Sequence, residues 1–253
     1  MDYSLNEIAA TTRKAVRGAG YPWGIADEAA ANLYWMYSHW LNGCSHLVRV
    51  LRQLDQADLQ DHTPDCLDLR WRASTGPLCP LMTSCAVTDR VRSLSETSSL
   101  TLEKVLEPLL LIRSVYYLAG FVESVRMNWL NYELVTDGRT IEGSDSLSGL
   151  LMDFSSPVEN PGHNSDEKLK SEQLIASDNQ VADVTLSFTG LSKDHKRGKR
   201  AAAFFVNPDD LNTRAQVEST IWHALEELAG RTYAPATEES RLKGAGSGLS
   251  DND

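Results

Sequence analysis

At 253 residues with 42% hydrophobic content, the chain is long enough for one large domain or two small ones with a real core. Its formal net charge of −11 argues against a nucleic-acid-binding surface, which needs excess Lys and Arg, and disfavours an anionic membrane as partner. Cys44, Cys66, Cys79 and Cys85 have neither C-x-x-C spacing nor neighbouring His clusters, so no metal site is expected. No basic, apolar leader follows Met1, and the longest apolar run, 108–112, is too short to span a bilayer; reduced thiols in a cytoplasmic protein are the expectation.

Ser4-Leu5-Asn6-Glu7 reads as a capping box that opens a helix. Leu5, Ile8, Ala9, Thr12, Ala15 and Val16 form its apolar stripe, and Gly18 or Gly20 supplies the stop. After the aromatic linker Tyr21-Pro22-Trp23-Gly24, a second helix carries Ala26, Ala29, Ala30, Leu33, Tyr37, Trp40 and Leu41 on one side. A third is predicted from Ser45, as cap, to about Ala57. Short loops between these helices imply antiparallel neighbours, hence a helical subdomain over 1–60.

From Leu67 the pattern alternates. Leu67, Leu69 and Trp71 predict a half-buried strand, as do 82–90 and then Leu100, Leu102 and Val105. Pro108 to Ala119 predicts a buried helix, Val125, Met127 and Trp129 alternate as in a strand, and a second run from Asn131-Tyr132 ends at Asp137-Gly138, a favoured hairpin turn. The acidic, Ser-, Asn-, Pro- and Gly-rich stretch of about 142–182 reads as a surface excursion. Val184 to Phe188 predicts a strand with 201–206 as its partner, and the basic run 193–200 between them is a solvated loop tip. Asn207-Pro208 then starts a helix through Val217, Ile221, Leu225 and Leu228 to Gly230. The whole is α+β: an N-terminal helical subdomain (1–60), then a mostly antiparallel sheet with flanking helices (61–253), read as one integrated domain, with an extended C-terminal strap over 231–253.

No P-loop, dinucleotide fingerprint, H-E-x-x-H or G-x-S-x-G occurs, and no cofactor is expected. The glycines Gly244, Gly246 and Gly248 match a phosphate-cradling loop only in composition, because no strand-turn-helix surrounds them. They can still bring backbone N–H groups close to a ligand, with Arg241 as a forked donor alongside. Cys79 becomes a nucleophile only if a base such as His195 or His223 is folded onto it; buried inert cysteine is the commoner case. Glu28, one turn into the second helix, and Asp89, on a presumed strand, are candidate bases only if buried, and Arg17 is a candidate carboxylate clamp. Trp23, Trp35, Tyr37 and Trp40 read first as core.

Two blocks carry a resemblance: Ser4-x-Asn6-Glu7 with Lys14-Ala15-x-Arg17-Gly18-Ala19-Gly20-x-x-Trp23-Gly24-x-Ala26-x-Glu28-Ala29, and an ending from Thr232-Tyr233 through Glu238, Ser240, Arg241 and Gly244 to Asp253. Together with Cys79-Pro80-Leu81 and Pro108 to Leu111, these resemble a bacterial domain-of-unknown-function family, the one numbered 3726. The family implies no activity or cofactor. It does imply that the tail is a motif, packed near the first helices, with Arg17, Trp23, Glu28, Tyr233, Glu239 and Arg241 around one cleft. The leading expectation is a small anionic metabolite held by Arg17, Trp23, Glu239, Arg241, Gly244 and Gly246. The alternatives are a cofactor-independent enzyme (hydrolase, lyase or isomerase) using Glu28 or Asp89 as base and Tyr233 as acid, and an accessory subunit or homo-oligomer that docks through its tail.

Overall fold

The structure, a computed structural model, describes residues 1–144, 180–190, 211–232 and the backbone of 204–206. Strand β1 (Asp2–Ser4) runs straight into α1 (Leu5–Gly18) through the expected capping box. Ser4 Oγ accepts from the Glu7 amide at 3.2 Å, and Glu7 Oε2 accepts from the Ser4 amide at 2.7 Å. The predicted stripe is the buried one: Leu5, Ile8, Thr12, Ala15 and Val16. Helix α2 (Trp23–Ser38) packs along α1, and Arg13 pairs with Asp27 across the contact at 2.5 Å. Helix α3 (Cys44–Gln53) begins one residue before the expected Ser45 cap and ends before Ala57. Gly43 is its N-cap because a Cβ there would lie 2.7 Å from the Leu33 side chain.

The segment 82–90 is not a strand. It belongs to α4 (Pro80–Asp89), which has Pro80 in the first turn, where its missing N–H is no loss, and buries Pro80, Leu81, Thr83 and Val87 at helical spacing. The alternation before it is also largely lost. Only Arg70–Trp71 forms a strand, β2; Trp71 is buried while Leu67 and Leu69 are exposed. A short helix, α5 (Val91–Ser95), leads into β3 (Ser99–Leu106). A 3-10 turn, Pro108–Leu111, and α6 (Ile112–Leu118) make the expected buried helical segment. The hairpin of β4 (Ser124–Trp129) and β5 (Tyr132–Thr136) follows, and β5 turns at Asp137 into β6 (Ile141–Gly143).

The long strand β7 (Val181–Thr189) occupies the centre of the main sheet, antiparallel to β3 on one side and β4 on the other. Strand β8 (Phe204–Val206) pairs with β6 and not with β7 as expected, because both edges of β7 are already taken. The sheet order is β2-β3-β7-β4-β5-β6-β8, antiparallel throughout except for β2 beside β3. Strand β9 (Arg214–Gln216) pairs with β1 in a separate two-stranded ribbon. Helix α7 (Ser219–Gly230) starts well after Asn207-Pro208, so Val217 is buried ahead of the helix and not on it. The chain is thus α+β, with helices preceding a mostly antiparallel sheet. The body of the acidic excursion, the basic run 193–200 and the tail from 233 onward lie outside the described residues. Among the described residues no helix is long and apolar enough to cross a membrane.

Candidate functional site

Residues at i and i+4 share one face of a helix. That spacing puts Glu28, Ala29 and Asn32 on the side of α2 that meets α4 and α6. On α4 the same rule aligns Leu81, Ser84, Cys85, Thr88 and Asp89, and α6 contributes Arg113 and Ser114. These ten residues line a cavity of about 80 Å³. A water needs about 10–15 Å³ on such a measure, so the space admits a molecule of several non-hydrogen atoms. Glu28 and Asp89, expected to act as bases only if buried, both line this space and are both exposed.

The walls are fixed by side-chain hydrogen bonds to backbone carbonyls. Asn32 Nδ2 donates to Leu110 O at 2.8 Å, and Ser84 Oγ reaches the same oxygen at 3.4 Å. Ser114 Oγ donates to Leu111 O at 2.8 Å and Thr88 Oγ1 to Ser84 O at 2.9 Å. Arg113 Nη1 donates to Glu28 Oε2 at 3.0 Å, a partly exposed ion pair at the rim. Asn32 Oδ1 is buried and has no hydrogen-bond partner among the described residues. Burial, and then the negative charges of Glu28 and Asp89, push the Cys85 thiol up to about 12, so at neutral pH it is a protonated wall and not a nucleophile.

Cys79 is inert as well. It is buried, its pKa is raised chiefly by burial, and its Sγ lies 3.4 Å from the Tyr21 hydroxyl. His223 sits on the exposed side of α7, paired with Glu226 at 3.1 Å, and His195 lies outside the described residues.

Arg17 and Trp23 do not line the cavity. They form their own pair: the guanidinium lies 5.5 Å from the Trp23 ring centroid, and Nη1 donates to Tyr21 O at 2.9 Å. Trp23 and Trp40 are 56% and 58% exposed, which removes them from the core that the sequence suggested, whereas Tyr37 is buried there. Tyr233, Glu239, Arg241, Gly244 and Gly246 lie outside the described residues. The last described residues do end close to Arg17. Gly18 packs on the Leu228 carbonyl and near the Arg231 side chain, and Arg231 Nη1 donates to Asp55 at 2.7 Å.

Asn32, Arg113 and Cys85 had not been singled out. Asn32 could have been found, as a polar residue amid Ala29, Ala30, Leu33 and Met36 on the buried face of α2. Arg113 depends on α6 crossing α2, a contact that no local pattern encodes. Among the described residues, no three His, Cys, Asp or Glu stand close enough to hold a metal ion.

A comparison with curated proteins finds no match. Residues 3–76, from β1 through α1, α2 and α3, match the model of a family described as protein of unknown function (DUF3726), which bears out over that segment the resemblance carried by Ser4, Asn6, Glu7 and the Lys14 to Ala29 block.

Proposed function

We propose that the α2–α4–α6 cavity receives a small polar metabolite, with Glu28 and Asp89 as its acceptors and proton-transfer groups. The observation that supports this reading is convergence. Two carboxylates, a guanidinium and a buried side-chain amide come from three different elements to one small concave space. Pockets that combine enclosure with a few convergent polar groups are where ligands bind and proton transfer is arranged. Cofactor-independent chemistry of the lyase, isomerase or hydrolase kind needs no more than such a pair on either side of a substrate.

Screening small polar metabolites by thermal shift tests this reading. The expected result is a ligand-dependent rise in Tm that Glu28→Gln and Asp89→Asn each abolish while leaving the unliganded Tm near wild type, since both side chains are exposed. Ligand shifts that survive both substitutions would remove the carboxylates from the site. A second reading, a small anionic molecule held by Arg17, Trp23 and the tail, is favoured by the Arg17–Trp23 pair beside the end of α7. In that case carboxylates or phosphates give the shift, and Arg17→Met or Arg241→Ala removes it while Asp89→Asn does not.

A further inference from the structure

The corner between α1 and α2 presents a cation beside an exposed ring, and the chain leaves α7 next to it. Tyr3, just ahead of α1, stacks on Trp222 in the first turn of α7, with ring centroids 3.7 Å apart. At the other end of the pair, a Cβ on Gly18 would lie 1.9 Å from Leu228 O and 3.4 Å from Arg231 Cβ. The two helices therefore run side by side in the same direction, and α7 ends at the turn from Gly18 to Trp23. The exit is anchored there. Arg231 N donates to Leu228 O, and Thr232 donates to Ala229 O through both its amide and its hydroxyl, the latter at 2.7 Å.

Arg17 is held in place at this corner by Tyr21 O, which accepts from Nη1 at 2.9 Å, and by the Trp23 ring, 5.5 Å away. Nearby arginines are neutralised, Arg13 by Asp27 and Arg231 by Asp55, whereas Arg17 meets no carboxylate among the described residues. Its remaining N–H groups suit a carboxylate, and the 56% exposed indole suits a flat apolar group. The sequence past Thr232 supplies both. Pro235 offers a ring and disfavours helix at Ala234, and Glu238 and Glu239 are the first acids beyond Thr232. Six or seven residues at about 3.3–3.6 Å each reach about 20–25 Å, enough to fold back onto Arg17, the neighbour of Gly18. So short a tether sets an effective concentration on the order of millimolar, which favours the chain's own acids over those of a second copy. We propose that segment 233–241 docks on the α1–α2 corner of its own chain, with Pro235 on Trp23 and the Glu238-Glu239 pair on Arg17. The occupant is then part of the protein, where the second reading above places a free anion.

The test is hydrogen exchange of the full-length protein at the amides of 236–241, together with the Trp23 indole N–H signal in ¹⁵N NMR. Wild type is expected to exchange those amides about tenfold or more slowly than an unfolded chain. Arg17→Glu should abolish the protection and move the Trp23 signal. Glu238→Arg combined with Glu239→Arg should do the same, and all three substitutions together should restore both readouts. Should Arg17→Glu not fold, the double variant, at positions beyond α7, carries the test. Protection that survives either charge reversal overturns the inference. So does protection that appears only at high protein concentration, which would assign the segment to a second copy. Unprotected amides with a saturable Trp23 shift on adding sodium acetate overturn it and leave the free anion on Arg17 standing. Unprotected amides with no acetate shift remove both.

Discussion

Glu107 is fully buried in a left-handed conformation, φ 48°, immediately before Pro108. A glutamate pays steric strain there, and the surrounding bonds hold it. Its carboxylate accepts from His46 Nδ1 at 2.5 Å, from Arg49 Nε and Nη2 at 2.7 and 2.9 Å, and from the Gln180 amide at 3.2 Å. Burial alone would raise this carboxyl, but the hydrogen bonds and charges of His46 and Arg49 outweigh it and hold it below the usual range. Burial lowers the pKa of His46, and the pull of Glu107 in the other direction does not win. With Glu107 ionised, Nδ1 carries the proton and donates, and Arg49 Nη2, 2.9 Å from Nδ1, is a second donor sharing the same oxygen. Both depressed values give the same sign. The unfolded chain binds the extra proton, so stability is complete above the unfolded pKa and is lost as pH falls. The loss starts near pH 6.5 for His46 and near 4.3 for Glu107, using about the ordinary unfolded values. Urea unfolding of wild type is therefore expected to weaken from about pH 6.5 downward, and His46→Asn, which keeps a donor facing Glu107, to flatten that upper part of the curve. Some slope stays in the variant, because burial also lowers the pKa of His39. If His46→Asn reproduces the wild-type curve between pH 6.5 and 5, His46 is not the group that titrates. This cluster is not legible in the sequence, since His46 and Glu107 have no local spacing to reveal them. Glu28 and Asp89 are visible in the sequence as isolated acids, but that they line one cavity, and that both are exposed, is set by the packing of α2 against α4.

Helix α1 meets α7 at Gly18. A Cβ there would lie 1.9 Å from the Leu228 carbonyl oxygen and 2.9 Å from its carbon, and neither is a side chain that can rotate away. In an open helix, Gly→Ala stabilises by about 0.5–1 kcal/mol through backbone entropy. At Gly18 the sign should reverse, because the two helices must separate, at a cost of about 1–3 kcal/mol or more. Gly24, with nothing near its missing Cβ, is the internal control: Gly24→Ala is expected to hold or raise the urea midpoint while Gly18→Ala lowers it. Equal responses of the two variants would mean that α1 and α7 do not meet in this way in solution. Elements that rest on local chemistry were the readable ones. The capping box at Ser4 and the Asp137-Gly138 turn, which joins β5 to β6, both follow from a few adjacent side chains. Helix α4 was misread because Thr83, Val87 and Thr88 are β-branched and suit a strand, although Leu81, Ser84, Cys85 and Thr88 recur at helical spacing. Strand β8 was assigned the wrong partner because the neighbours of β7 are set by β3 and β4, which lie far off in sequence.

At the scale of the molecule, the helices of 1–60 and the sheet share one continuous core. Leu5, Leu33 and Leu51 belong to the same buried cluster as Leu102, Met127 and Leu186. The joints between the two parts are specific. Asn32 on α2 holds the Leu110 carbonyl, His46 and Arg49 on α3 hold Glu107 at the end of β3, and α1 lies against α7. The N-terminal segment also reaches the far end of the described chain, since β1 pairs with β9 and the Met1 amine donates to Val217 O at 2.9 Å. A piece comprising 1–60 alone would expose the apolar faces of α2 and α3 and strand Asn32 and His46, and helices of this length are marginal without packing. The division into a helical subdomain and a sheet domain, natural from the texture of the sequence, is thus expected to have no thermodynamic counterpart. Denaturation of the full chain should then follow one transition, with far-UV circular dichroism and tryptophan fluorescence coincident, and the isolated 1–60 fragment should show the spectrum of an unfolded chain. Two resolved transitions, together with a cooperatively melting fragment, would make 1–60 a domain in its own right. The cavity between α2 on one part and α4 and α6 on the other would then be an interdomain cleft, free to open, and not a space fixed by the core.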